Sequence, residues 1–393
     1  MKKMIFKTVL PLGILMLAGA CSAPRKDLLQ AEFEGVGNET VYLTAIPLSR
    51  TDSVLYDTIA LEDGAFVWDV ELASPTDVLL ELGRDRRPSG RRAPAASDAY
   101  RVNFLLQPGE KVRIKAVYED DFLSYELSGS RELELQSDLR ARSREEYVTS
   151  GLLHAKIAQA LAGGVENADE AYVDSLYEVF GQVNARKANA ALPYVKAHPK
   201  QMLSAWFLMK HPDRDTFLNY LPVLDVSVVE GPMAGRLQQI RQYAEHMRLL
   251  RENAEKLSPG ATAPDFTLLD LEGKPVRLSD FSEKHVVLDF WGTWCPWCVK
   301  GIPQMKRYHA KLKDKVVFLG IACRDKEEKV KAMVGKEGMK WVNVMNGDSD
   351  NDVASLYGVS GYPTKILLEP GLKVKGRYLG EVPEFYQDLD EIR

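Results

Sequence analysis

The chain has 393 residues, 45% of them hydrophobic and 27% charged, with a formal net charge of −5. That length exceeds one ordinary core and suits two or three domains of about 100–200 residues each. No basic excess points to a nucleic-acid partner, and four cysteines are too few for a scaffold of several disulfides.

Residues 1–20 read as an export signal. Lys2, Lys3 and Lys7 form a positive n-region, TVLPLGILMLAGA is a short apolar run, and small residues precede Cys21. The run is shorter than the ~20 residues that cross a bilayer. Its end, LAGAC, resembles a bacterial lipobox, although Leu17 stands one place earlier than in the commonest pattern. That resemblance implies cleavage before Cys21, a lipid on its thiol and a membrane tether in the periplasm, with Ser22 favouring the outer membrane. A plain secretory signal with a chance cysteine is the alternative, and either route exports the chain.

Residues 21–130 alternate apolar and polar side chains in short runs. VYLTA at 41–45, AFVWDV at 65–70, VLLEL at 78–82 and KVRIKAVY at 111–118 read as strands, with Asp63-Gly64 and Pro108-Gly109 as turns. Such spacing predicts a small β-sandwich. The order DG-x-F, FLLQPGEKV and LSGS resembles an N-terminal domain of unassigned function found in lipoproteins of Gram-negative gut bacteria. Between two of the strands, GRDRRPSGRRAPAAS at 83–97 carries five arginines and reads as a solvated loop, since such a composition cannot bury a core.

From 131 to 257 the period becomes helical. Tyr172, Val173, Leu176, Tyr177, Phe180 and Val183 recur at helical spacing, and Leu237, Ile240, Tyr243, Ala244 and Met247 share one face. The region closes at Ser258-Pro259-Gly260. The six histidines are scattered without ligand-like spacing, so no metal site is expected.

Residues 258–393 return to strand and helix in alternation. VVLDFW reads as a buried strand, FWGTWCPWCVKGIP opens a helix at its cysteines, and VVFLGIAC and TKILLEP are further strands. Cys295 and Cys298 lack the second ligand pair of a structural zinc site. A disulfide between them would close a loop too short to constrain the unfolded chain much. A redox couple remains, working without any other cofactor. At a helix start, unpaired N–H groups and the helix dipole favour the Cys295 thiolate. Pro296 fits the first helical position, where its missing N–H costs nothing. Cys298 returns to the same face, placed to resolve a mixed disulfide formed at Cys295. Cys295 is thus expected to be the accessible nucleophile and Cys298 the shielded resolver, while Cys323 reads as a small buried hydrophobe.

Three separated motifs, APDFTLLDLEGKPVRLSDF, VVLDFWGTWCPWC and YGVSGYPTKILL, resemble the membrane-tethered thioredoxin-like oxidoreductases of the TlpA and ResA group. The likeness covers roughly the last third of the chain. It implies a thioredoxin fold, so the expected architecture is a C-terminal α/β thioredoxin fold preceded by a small all-β sandwich-like domain and a helical middle region. It also implies that Cys295 attacks, Cys298 resolves, and Pro363 is cis beside them, turning Tyr362 toward the thiols. Trp294, Pro296, Trp297 and Tyr362 are then expected to contact substrate, and Asp289 to carry the Cys298 proton. The partners implied are disulfide-bearing exported proteins, some in cytochrome c maturation, and a membrane electron donor.

This chain departs from many relatives in carrying Gly301 where they place a glutamate three residues after the second cysteine. A peroxiredoxin is the nearest rival, yet its Thr or Ser three residues before the attacking cysteine is here Gly292. A scaffold lipoprotein with a retired redox domain is the rival from another class.

Overall fold

The computed structural model describes residues 27–36, 39–49, 53–83, 101–119, 122–164, 168–347 and 351–392. The leader, Cys21 and nearly all of the arginine-rich segment lie outside the described residues.

Among the described residues eight strands come first: β1 (Asp27–Glu34), β2 (Thr40–Pro47), β3 (Leu55–Ala60), β4 (Ala65–Val70), β5 (Thr76–Leu82), β6 (Arg101–Leu106), β7 (Lys111–Glu119) and β8 (Phe122–Ser128). They form two four-stranded sheets, β4-β1-β7-β8 and β3-β2-β5-β6. Alternation along the strands turns Val41, Leu43, Val78, Leu80, Val112 and Ile114 into one shared core. The expected sandwich strands are all present. At Asp63-Gly64 both residues have positive φ, 52° and 78°, which lets the chain reverse tightly into β4. LYDTIA, which forms β3, shows no alternation because it is an exposed edge strand.

Among the described residues eight α-helices follow: α1 (Arg131–Arg142), α2 (Arg144–Ala160), α3 (Glu170–Asn189), α4 (Leu192–Ala197), α5 (Met202–Met209), α6 (Arg214–Tyr220), α7 (Val226–Val229) and α8 (Ala234–Glu255). Ser130, Asp169 and Asp213 cap α1, α3 and α6 with side-chain oxygens. Helix α1 seals the open end of the sandwich, where Gln136 Oε1 accepts the Leu105 N–H at 2.8 Å. The helical layer is pinned to β5 by Asp77, which accepts from Trp206 Nε1 at 3.1 Å and pairs with Lys210 at 2.8 Å. The apolar stripes are narrower than their periodicity predicts. Val173, Leu176 and Val183 are buried, whereas Tyr172, Tyr177 and Tyr243 are about half exposed. A tyrosine scores as apolar in a pattern, yet its hydroxyl is satisfied by water at no cost.

The last unit contains β9 (Thr267–Leu269), β10 (Pro275–Arg277), β11 (His285–Trp291), α9 (Pro296–Leu312), β12 (Val316–Ala322), α10 (Glu327–Glu337), β13 (Val342–Met345), α11 (Val353–Leu356), β14 (Thr364–Glu369), β15 (Lys373–Leu379) and α12 (Pro383–Asp390). Strands β9 and β10 form a hairpin, and the central sheet has the order β13-β12-β11-β14-β15. Its first three strands are parallel and its last two antiparallel. This is the thioredoxin arrangement, and it explains why β11 and β14 read as mainly apolar runs: both of their faces are covered.

Helix α8 docks directly on this unit. Gly358, at φ 63°, lies so close to the α8 backbone at Leu250 and Ala254 that a Cβ there would overlap it. The Asn253 amide donates to the Ser355 carbonyl at 3.0 Å.

Candidate active site

β11 ends at Trp291, which is 2% exposed and belongs to the core, so it forms no part of a docking rim. Two ties fix the next turn: the Thr293 N–H donates to Asp325 Oδ2 at 2.6 Å, and Trp294 Nε1 to the Cys323 carbonyl at 3.1 Å. The loop is thereby fastened to the chain leaving β12. Cys295 then serves as N-cap of α9 with extended backbone, and Pro296 takes the first helical position. Cys295 and Cys298 are joined as a disulfide with Cα atoms 5.3 Å apart.

The expected contrast in accessibility is absent from this oxidised state, where Cys295 is 3% and Cys298 5% exposed. Both sulfurs pack in one apolar cluster with Trp291, Ile302 and Met305. The asymmetry lies instead in hydrogen bonding, because Cys295 Sγ accepts the Cys298 N–H at 3.1 Å. An N–H aimed at sulfur from the first turn of a helix favours the thiolate. After reduction, limiting iodoacetamide near neutral pH is therefore expected to alkylate Cys295 before Cys298, as read by peptide mass spectrometry. Faster labelling of Cys298 would reverse the assignment.

Around the sulfurs, Trp294 is 47% exposed and meets Tyr362 edge-on, with ring centroids 5.2 Å apart. The Tyr362–Pro363 peptide is cis. The Pro363 carbonyl accepts from the Gly380 N–H at 2.8 Å, and Thr364 Oγ1 donates to the Gly361 carbonyl at 2.8 Å, which hold the bend at the start of β14. Pro296 is exposed, and Trp297 is half-buried with the Lys300 ammonium 4.6 Å from its ring centre. Lys300 Nζ also donates to the Ala168 carbonyl at 3.4 Å, so the segment leading into α3 reaches the cysteine helix. Beside Tyr362 a polar cavity of about 350 Å³ is lined by Arg324, Asp325 and Asp352 and, from α8, by His246. A Cβ at Gly292 would overlap the Trp294 indole, so that space cannot hold the hydroxyl side chain a peroxiredoxin needs. Cys323 is fully buried, and burial pushes its thiol up to about 12, against a weaker opposing hydrogen bond with Tyr362. It has no thiolate to offer near neutral pH.

Asp289 lies in the middle of β11, opposite Lys365 of β14 in the ladder. Lys365 Nζ stands 3.6 Å from Asp289 Oδ1 and forms a second ion pair with Glu381, in the turn between β15 and α12. Tyr386 donates to Glu381 Oε2 at 2.7 Å. Burial raises both carboxyl pKa values, with Lys365 pulling each back. Burial lowers the Lys365 pKa, but Asp289 and Glu381 more than reverse this, and the net shift is upward. The sequence reading missed Lys365 and Glu381. One signal was available: β11 and β14 each carry a single charged residue in an otherwise apolar interior, and the two are opposite in sign.

Residues 259–377 match the AhpC/TSA family. The thiol-disulfide oxidoreductase ResA of Bacillus anthracis is 36% identical over 128 residues, 32% of this chain and 73% of that protein. ResA of Bacillus subtilis is 34% identical over 131 residues, 33% and 72% of the two chains. The solved thioredoxin domain of a thiol-disulfide oxidoreductase from Bacteroides vulgatus is 30% identical, at a TM-score of 0.33, over 35% of this chain and 99% of that one. Because the ResA proteins are 34–36% identical to this chain over nearly three quarters of their own length, the chain belongs to the thioredoxin-like thiol-disulfide oxidoreductases of the AhpC/TSA family.

Proposed function

We propose that the chain is an exported, lipid-anchored disulfide reductase or isomerase for other exported proteins, with Cys295 and Cys298 as its whole redox equipment. The observation that carries this reading is the Cys298 N–H directed at Cys295 Sγ at the N-terminus of α9. In the reducing direction, the Cys295 thiolate attacks a substrate disulfide and releases one substrate thiolate. Cys298 gives up its proton, with Asp289 assisting, and attacks Cys295 Sγ, closing the Cys295–Cys298 bond and releasing the second substrate thiolate. Two electrons and, on reprotonation, two protons pass to the substrate. The chain must then be reduced again by a membrane donor, which the lipid on Cys21 brings near.

Substrate contact falls to Trp294, Pro296, Trp297 and the backbone of Tyr362, whose position just before β14 suits pairing with an extended segment. An oxidising compartment supplies disulfides to act on, and apocytochromes c are one class of client in this reading. Among the described residues no helix is long and apolar enough to cross a membrane; the lipid on Cys21 is the anchor this reading requires.

A Cys298→Ser chain expressed in the exporting cell is expected to accumulate mixed disulfides with exported proteins, recovered by non-reducing electrophoresis and identified by mass spectrometry. A Cys21→Ser chain should be exported in soluble form. Absence of mixed disulfides together with inert thiols would favour a scaffold role, and a measured potential near the oxidising end, about −120 mV, would turn reductase into oxidase.

A further inference from the structure

Near the helix face that carries Cys298 the fold gathers three charged groups, Asp289 and Lys365 buried and Glu381 nearly so, of which the scheme above uses only Asp289. Lys365 is 1% exposed and is shared by two carboxyls. With the ammonium charged and both carboxyls ionised, the cluster would keep an unbalanced negative charge away from water. Holding one proton between the carboxyls removes that imbalance.

The position of Glu381 is specific. A Cβ added at Gly301 would overlap the Glu381 carboxyl, which therefore rests against the helix at that glycine. Gly301 follows Cys298 by three residues in α9, so the two share a face. The glycine on which the carboxyl rests is thus about one helical turn, ~5 Å along the axis, from the resolving cysteine. The hydroxyl of Tyr386 binds its Oε2 and the Lys365 ammonium its Oε1. Asp289 Oδ1 is buried without a hydrogen-bond partner, turned toward the same ammonium.

The geometry points to Glu381 as the group through which the Cys298 proton leaves during resolution, held over Gly301 by Lys365 and Tyr386 and sharing one proton with Asp289. This rests on the thiol-disulfide reading above. In the step, the Cys298 S–H proton passes to the carboxylate, the new thiolate bonds to Cys295 Sγ, the bond from Cys295 to substrate breaks, and the departing thiolate takes the proton back. The groups facing Glu381 are Asp289 from β11, Lys365 from β14 and Tyr386 from α12, with Cys298 of α9 one turn from the glycine on which Glu381 rests. Resolution should accordingly quicken as pH rises through the apparent pKa of the cluster, where the carboxylate becomes free to accept.

The test is stopped-flow reaction of the reduced full chain with 5,5′-dithiobis(2-nitrobenzoate), which releases one coloured thiolate on attack by Cys295 and a second on resolution by Cys298. Glu381→Gln is expected to slow the second release about 10²-fold and to erase its pH inflection. Asp289→Asn should also slow it, and the double variant should be little slower than either single one. Moving the carboxyl back to the helix, with Glu381→Gly and Gly301→Glu together, should restore the second release to within a few fold of wild type. Should Glu381→Gln fail to fold, Tyr386→Phe serves instead: loss of its hydrogen bond to the carboxylate must shift the inflection to higher pH. A second release unchanged in rate and pH profile in Glu381→Gln, an unmoved inflection in Tyr386→Phe, or a folded transplant as slow as Glu381→Gln overturns the assignment while leaving the oxidoreductase reading intact. Absence of the first release in wild type overturns both.

Discussion

Lys365→Met is expected to lower stability by about 3–5 kcal/mol near neutral pH, the range for removing one partner of a buried ion pair. Methionine fills much of the same volume, so the loss comes mainly from Asp289 and Glu381, left facing each other without a cation. The pH dependence separates this cause from a packing defect. Burial raises both carboxyl pKa values in the folded chain, and loss of Lys365 raises them further. A carboxyl with a raised folded pKa favours the folded state below its unfolded value, near 4, and that contribution is lost as pH rises through the folded pKa. The gap between variant and wild type should therefore widen from pH 5 to pH 8 in urea unfolding. A gap of constant size would mean that packing alone was lost.

Cys295→Ser is expected to cut disulfide reduction at least about 10³-fold, in line with removal of an attacking nucleophile. Serine keeps the N-cap, since its oxygen accepts the same N–H that Cys295 Sγ receives from Cys298, so the fold and its melting temperature should be little changed. The residual thiol at Cys298 lies in the first turn and lacks the N-cap position that favours a thiolate. Turnover of an insulin or small-disulfide substrate by the purified chain measures the effect. Activity within ten-fold of wild type would move the attacking role to Cys298.

Much of this arrangement was legible in the residues. Alternation located β2, β4, β5 and β7, because each buries one face of the sandwich, and the spacing of Cys295, Pro296 and Cys298 located the start of α9. The edge strand β3 gave no pattern because it buries almost nothing. The Lys365 contacts were only half legible: the opposite charges in β11 and β14 hint at a pair, but the register that sets Asp289 against Lys365 comes from the ladder, and Glu381 enters by a turn outside both strands. Gly301 marked a missing side chain, but only the folded chain places another residue's carboxyl in that space. Likewise Trp291, Trp294 and Trp297 are equivalent in the sequence, and strand end, loop and helix give them three different exposures.

The contact of α8 with Gly358 has a consequence for reach. A redox domain on a loose linker can swivel and sample many orientations, whereas backbone seated on backbone fixes which way the dithiol rim points relative to the rest of the chain. The search for a productive approach is then left to the client, and this orientational requirement holds association well below the collision limit. Clients whose disulfides lie in unfolded or newly exported segments meet it readily, because such segments can bend to the rim. Compact proteins with inward-facing disulfides cannot. Selectivity of this kind arises from the stiffness of a joint, with no contact to any client side chain.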